Sequence, residues 1–231
     1  MKKFALLLAL LLLFLTQSIS YAQLGESTGL FEFKKFEDNP IQSALVIVDT
    51  EGGTGSGFIV GKDLILTADH CVGGCKRISI KIPRLGFVSG PVKVVRRDAS
   101  KDLSLLKVDL PKGLRILSIS KTPPEMGDDV EFLGFAGFSK PRHFDSEILS
   151  VSGDQYLLNG VVIQGDSGGA ILNSDGDVVG MIQRGQTPLK KFYIDYEGGT
   201  IAPMMLALTS GHTSEALNKF LAEPNDKPSA N

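Results

Sequence analysis

Three residues far apart in this chain have the types that nucleophilic acyl transfer needs: Ser167, His70 and Asp102. Ser167 lies in Gly165-Asp166-Ser167-Gly168-Gly169, His70 in Thr67-Ala68-Asp69-His70-Cys71, and Asp102 in Lys101-Asp102-Leu103-Ser104-Leu105-Leu106. A serine hydroxyl is a poor nucleophile at neutral pH unless a neighbouring base takes its proton. Glycines packed this tightly around Ser167 suit a sharp turn, with the hydroxyl exposed and the adjacent amides bare. His70 is the candidate base, and Asp102 is the candidate group that orients it.

The order His, Asp, Ser with these flanks resembles the trypsin/chymotrypsin-type serine peptidases, including short bacterial HtrA-like members. The likeness runs over roughly residues 41–222 and is densest around the three residues. It implies that His70 acts first as general base and then as the acid that protonates the leaving amine. Asp102 would accept the other imidazole N–H. The competing acid is Asp98, but the family pattern wants an apolar strand directly after the aspartate, as Leu103 to Leu106 supply. The amides of Gly165 and Ser167 would form the oxyanion hole, glycine at 165 leaving the approach clear. Gly55-Ser56-Gly57-Phe58-Ile59 looks like the family's turn beside the site. Met181-Ile182-Gln183-Arg184-Gly185 looks like its substrate-pairing strand, so Gln183, Arg184 and Gly185 are expected to hold an extended peptide. Val161, six residues before Ser167, and Gln164 are expected to line the specificity pocket. An apolar Val161 argues against an Arg/Lys preference and for small or apolar side chains.

Two departures stand out. Relatives with a cleaved Ile-Val-Gly-Gly-like start pair the new amine with the aspartate before the serine, and no such sequence occurs here. The partner of Asp166 is therefore open: a lysine or arginine, a proton, or another new N-terminus. Activation by zymogen cleavage is not expected. Asp69 stands where the family has a small or amide residue.

The elements that must position these groups read as β-rich. Short apolar or alternating runs recur at Ala44–Val48, Gly57–Val60, Leu64–Leu66, Arg77–Ile82, Pro91–Val95 and Leu103–Val108. After a Pro/Gly-bearing seam over Ser120–Gly127, they resume at Val130–Phe135, Glu147–Val151, Gln155–Ile163, Ala170–Leu172, Val178–Ile182 and Phe192–Tyr196. One helix is expected, Ser214–Ala222. Many short strands with little helical period predict an all-β barrel or sandwich. The resemblance sharpens this to two six-stranded antiparallel barrels, chymotrypsin-like, with a C-terminal helix. The expected division is a signal peptide (1–22), an arm (23–40), a first barrel (41–119), a second barrel with the helix (120–223) and a frayed tail (224–231), leaving no room for a PDZ domain.

Composition narrows the function classes. Lys2 and Lys3, the apolar run Phe4–Thr16 and Ser20-Tyr21-Ala22 read as a secretory leader cleaved after Ala22. The run is shorter than the ~20 residues that span a bilayer. A secreted or periplasmic location follows, with no membrane attachment after cleavage. The 24 Lys+Arg against 26 Asp+Glu give a net charge of −2 and no basic face, which disfavours nucleic acid as a partner. In an oxidising compartment the only two cysteines, Cys71 and Cys75, could pair across Val72-Gly73-Gly74 and shape the loop after His70. No metal or cofactor is expected: His70, His143 and His212 are scattered, and His143 reads as a loop residue. Asp175-Gly176-Asp177 reads as a hairpin turn.

Gly165-x-Ser167-x-Gly169 also fits the nucleophile elbow of α/β-hydrolases, but that fold places acid and histidine after the serine and needs βαβ units. The expectation is a secreted serine endopeptidase acting on polypeptide bound in extended form. The alternative is a catalytically silent protease-like binding domain.

Overall fold

The computed structural model describes residues 40–135, 141–196 and 200–224. The expected leader, the arm up to residue 39 and the tail from 225 lie outside them.

Residues 45–107 build one antiparallel sheet. Its strands are β1 (Leu45–Thr50), β2 (Gly53–Gly61), β3 (Leu64–Ala68), β4 (Ile78–Ile82), β5 (Phe87–Val88), β6 (Lys93–Asp98) and β7 (Leu103–Lys107). Their spatial order is β5-β4-β1-β2-β3-β7-β6. Successive side chains on a strand face opposite ways, and here both faces are apolar. Val46, Val48, Ile59, Ile65, Ile80, Ile82 and Leu106 form one core on one face. Leu45, Ile47, Phe58, Leu66, Ala68, Leu103 and Leu105 join a second core with residues of the other half. This double burial explains why β1 and β3 read as continuous apolar runs.

The expected first six-stranded barrel is corrected to this seven-stranded open sheet. Its edges β5 and β6 do not pair. The two-residue β5 is too short to bridge them, and directly after it Ser89 stays bound to β4, donating its N–H to the Ile80 carbonyl at 2.8 Å.

The other half closes. Strands β8 (Asp129–Gly134), β9 (Arg142–Ser152), β10 (Gln155–Ile163), β11 (Ala170–Leu172), β12 (Val178–Tyr196) and β13 (Thr200–Thr213) form a six-stranded barrel in the order β10-β13-β12-β11-β8-β9. The runs Val178–Ile182 and Phe192–Tyr196, read as two strands, are the ends of one bulged strand, β12. Helix α2 (Ser214–Ala222) begins at the expected residue; the Thr213 hydroxyl caps it by accepting from Ala216 N–H at 3.2 Å. Leu217 and Phe220 of α2 join Leu133, Phe135, Ala170, Leu172 and Met181 in the core shared with the first sheet. The Arg96 guanidinium of β6 donates to the Phe220 carbonyl and lies over its ring. The first sheet and the barrel thus share one apolar seam, and the candidate site lies along it.

Candidate active site

Strand register brings His70 and Asp102 together across 31 intervening residues. Ala68 at the end of β3 pairs with Leu103 at the start of β7. The residues just beyond that pair, Asp69 and Asp102, are joined by an Asp69 N–H to Asp102 carbonyl bond of 3.1 Å. A one-turn helix, α1 (Asp69–Val72), then turns the His70 ring back over Asp102. Its Nδ1 lies 2.9 Å from Asp102 Oδ2 and 3.1 Å from Oδ1. The His70 backbone N–H also donates to Oδ1, at 2.8 Å. Asp102 holds a left-handed backbone (φ 56°), a conformation that aspartate tolerates better than most residues.

The electrostatics follow from this geometry. The Asp102 hydrogen bond, and after it a contact with Cys71, push the half-exposed His70 imidazole up to about 10. Burial works against the charged Asp102 carboxylate, but the His70 ring and backbone N–H hold it below the usual carboxylate range. His212, buried in β13, is held below the ordinary imidazole value by burial, with the Asp102 charge opposing. Asp98 is engaged elsewhere, accepting from Ser100 Oγ at 2.6 Å and Lys101 N–H at 3.0 Å. Asp69 is buried and takes Arg97 in a two-pronged pair (Nε–Oδ1 2.6 Å, Nη2–Oδ2 2.9 Å) plus the Ser104 hydroxyl at 2.6 Å. It braces the turn that carries His70.

The glycines around Ser167 are there for space. A Cβ on Gly168 (φ 85°) would meet the Ser56 carbonyl at 2.2 Å, and one on Gly169 would meet the Leu133 carbonyl at 2.3 Å. Buried Ser56 clamps the turn from the first sheet: its N–H donates to the Ser167 carbonyl at 2.8 Å and its hydroxyl to the Gly165 carbonyl at 2.7 Å. The same hydroxyl accepts from Phe135 N–H at 2.8 Å. From the barrel side, Gly168 N–H donates to the Ile182 carbonyl and Ile182 N–H to the Gly169 carbonyl, both at 2.8 Å. Among the described residues neither the Gly165 nor the Ser167 N–H donates to a protein acceptor, so two amides flank the serine with their hydrogens unused. The Ser167 hydroxyl likewise makes no hydrogen bond among those residues; Cys71, next to His70, reaches the Ser167 carbonyl at 3.7 Å.

Other expected site residues divide. β11 ends opposite Met181, so from Gln183 onward β12 is paired only with β13, leaving one edge of Arg184 and Gly185 open among the described residues. Gln183 is buried, its Oε1 facing Gln155 Nε2 at 3.3 Å and the Ser210 hydroxyl at 3.4 Å, so its side chain serves the barrel. Gln164 is exposed beside the turn. The Val161 side chain lies outside the described residues, while its backbone pairs with Leu206.

The expected Cys71–Cys75 disulfide is absent: both are free thiols, Cys71 directed at the Ser167 carbonyl and Cys75 at that of Gly73. His143, expected in a loop, is a buried residue of β9 whose Nε2 lies 3.1 Å from Glu131 and 3.7 Å from Asp145. These three are a group whose spacing suits a metal ion. Asn173 Oδ1 accepts from Asp175 and Asp177 N–H, closing the hairpin turn read there. The sequence reading missed the residue nearest the turn's charge: Arg142, whose Nη1 donates to Asp166 Oδ2 at 2.7 Å.

The chain is similar to known proteins in sequence and in fold. A family model described as a trypsin-like peptidase domain matches residues 55–181. "Serine protease HTRA1A" of Danio rerio is 28% identical over 143 residues, covering 55% of this chain and 29% of that protein. "Serine protease Rv3671c" of Mycobacterium tuberculosis is 28% identical over 144 residues, covering 55% and 35%. The chain therefore spans about a third of the length of these relatives. Among solved structures, the active form of the Rv3671c protease superposes with a TM-score of 0.61 at 20% identity, covering 83% of this chain and 85% of that one. The HtrA-type protease AlgW, with a tripeptide, gives 0.62 at 19% identity, covering 79% and 60%. With its family model matched over more than half its length, the chain belongs to the trypsin-like peptidase family.

Proposed function

We propose that this chain is a serine endopeptidase that cleaves peptide bonds through an acyl-enzyme on Ser167. The observation that carries the reading is a paired His70–Asp102 whose next residue, Cys71, reaches the carbonyl of Ser167 in a glycine turn with two unused amides. His70 Nε2 takes the Ser167 proton as the hydroxyl attacks the carbonyl carbon. The amides of Gly165 and Ser167 receive the charge that develops on the carbonyl oxygen. His70 then gives the proton to the leaving amine, and a water repeats the sequence to release the acid. Asp102 keeps the ring in the tautomer with its proton on Nδ1.

The substrate is polypeptide in extended form, added as a strand along the open edge at Arg184 and Gly185. The AlgW structure carries a tripeptide, which supports this class of ligand. The two halves, 41–119 and 120–223, each contribute: His70 and Asp102 from the first, Ser167 from the second. We also propose export by the 1–22 leader. The relatives include "Probable periplasmic serine endoprotease DegP-like" of Hahella chejuensis, 32% identical over 139 residues.

A fluorophosphonate probe on the purified chain tests the site directly. Labelling lost in both Ser167→Ala and His70→Ala is the expected result. A folded wild-type chain that takes no label would favour a silent binding domain instead.

A further inference from the structure

We propose that Arg142 is a positioning residue for this hydrolysis: its guanidinium, buried against Asp166, holds the Gly165–Ser167 turn in its reactive conformation. The site then needs no liberated N-terminal amine to supply that charge. The proposal rests on the reading of Ser167 as the nucleophile.

Arg142 opens β9 opposite Gly134 of β8. Its side chain and that of Asp166 are each 1% exposed, and Nη1 meets Oδ2 at 2.7 Å. The same Oδ2 accepts the Ile163 N–H at 2.8 Å, so the carboxylate is fixed to β10 as well as β9. The cation is fixed in turn: it lies 4.1 Å over the Phe144 ring, which stacks on Phe132 at 5.0 Å. Gly134 makes the room, since a Cβ there would come within 2.8 Å of Asp166 Oδ1.

Asp166 is the one residue between the two unused amides. Its backbone N–H donates to the Ile163 carbonyl at 3.0 Å and its carbonyl accepts from Gly169 N–H at 2.9 Å. An ionised carboxylate this deeply buried persists only with a cation beside it. Without one it takes a proton or swings toward water. A swing rotates the peptide plane that carries the Ser167 N–H, moving the oxyanion donor and the hydroxyl together. Arg142 therefore acts on catalysis through Asp166, and the open question of that residue's partner is answered by an arginine supplied from within the barrel.

The test uses the full chain with Arg142→Met, Arg142→Lys, Asp166→Asn and the Arg142→Met/Asp166→Asn double variant, each checked for its thermal midpoint. Ser167→Ala is the control. The readouts are kcat and KM on a peptide substrate, and affinity for a peptide aldehyde, whose hemiacetal oxygen occupies the oxyanion position. Arg142→Met is expected to lower kcat about 100-fold and to weaken aldehyde binding by a similar factor, as loss of an oxyanion donor does. KM is expected to stay within about threefold, because ground-state contacts are kept. Arg142→Lys recovers part of the loss, and the double variant exceeds Arg142→Met because no charge is left unpaired. Intact-mass analysis of active wild type is expected to show no N-terminus beyond Gln23, the residue that leader removal exposes, within residues 24–40.

A folded Arg142→Met with wild-type kcat and aldehyde affinity overturns the proposal. So does wild-type activity that appears only after a cut in that arm. Should Arg142→Met not fold, Arg142→Lys and Asp166→Asn decide: wild-type values in both overturn it. Turnover surviving in Ser167→Ala would sink the nucleophile reading itself, whatever Arg142 does.

Discussion

The Ser56 backbone N–H donates to the Ser167 carbonyl at 2.8 Å, so the first sheet holds the turn that the barrel presents. Ser56 is 1% exposed, and its hydroxyl adds bonds to Gly165 and Phe135. One small residue of β2 thereby fixes the backbone on both sides of Asp166 relative to His70.

Ser56→Ala keeps the N–H bond but strips the Gly165 carbonyl and the Phe135 N–H of their partner. Leaving buried polar groups unmatched costs about 1–3 kcal/mol each at most. The expected outcome is a lower unfolding free energy in denaturant titration and a reduced kcat with KM little changed. Wild-type values of both would show the clamp to be idle.

Asp102→Asn should cut kcat by about 10⁴, the order known for the trypsin-type triad. The sign of the pH effect follows from the His70 shift. The base must be neutral, so activity rises with pH through the His70 pKa, which the Asp102 hydrogen bond and, after it, the Cys71 contact hold above the ordinary imidazole value. Removing that carboxylate lowers the pKa, and the acid limb of kcat/KM moves to lower pH. A limb that stays in place, followed by pH–rate profiles of both proteins, would contradict the pairing.

Gly168→Ala places a methyl 2.2 Å from the Ser56 carbonyl on a residue with φ 85°. The left-handed backbone alone costs a residue with a Cβ about 1–2 kcal/mol, before the clash. The variant is expected to lose fluorophosphonate labelling while circular dichroism retains the β signal. Full labelling would mean that the turn is looser than its contacts indicate.

Arg97→Met leaves the buried Asp69 carboxylate with Ser104 alone. Arg97 is 38% exposed, so water replaces part of what is lost. A loss of about 1–2 kcal/mol, well short of a fully buried pair, is the expected size. Thermal or denaturant unfolding of the two proteins measures it. A loss above that range would mean that water reaches the carboxylate less than its partner's exposure suggests.

Much of the fold was legible because its signals are local. The run Ser214–Ala222, entered through Gly211-His212-Thr213, reads as a helix and folds as α2, and β10 and β11 fell on the expected residues. Closure was not legible: whether β5 and β6 meet depends on edge geometry, which alternation of side chains does not encode. β13 was missed because Pro203 and the Thr209-Ser210-Gly211 run look like loop chemistry, while its pairing with β10 and β12 is long-range. His70, Asp102 and Ser167 stood out by their flanks. Arg142 did not, because nothing near it in sequence points to Asp166, 24 residues on. Asp69 looked like an oddity until Arg97 and Ser104 were seen to surround it.

The most direct measurement is to catch the covalent intermediate. The chain is mixed with an activated peptide ester, quenched in acid within the first turnover and mapped by mass spectrometry. An acyl group on Ser167, absent in Ser167→Ala and formed with a burst of about one equivalent of leaving group, is the predicted result. Substrate turnover with no burst and no adduct on Ser167, or with the adduct on another residue such as Cys71, would contradict it.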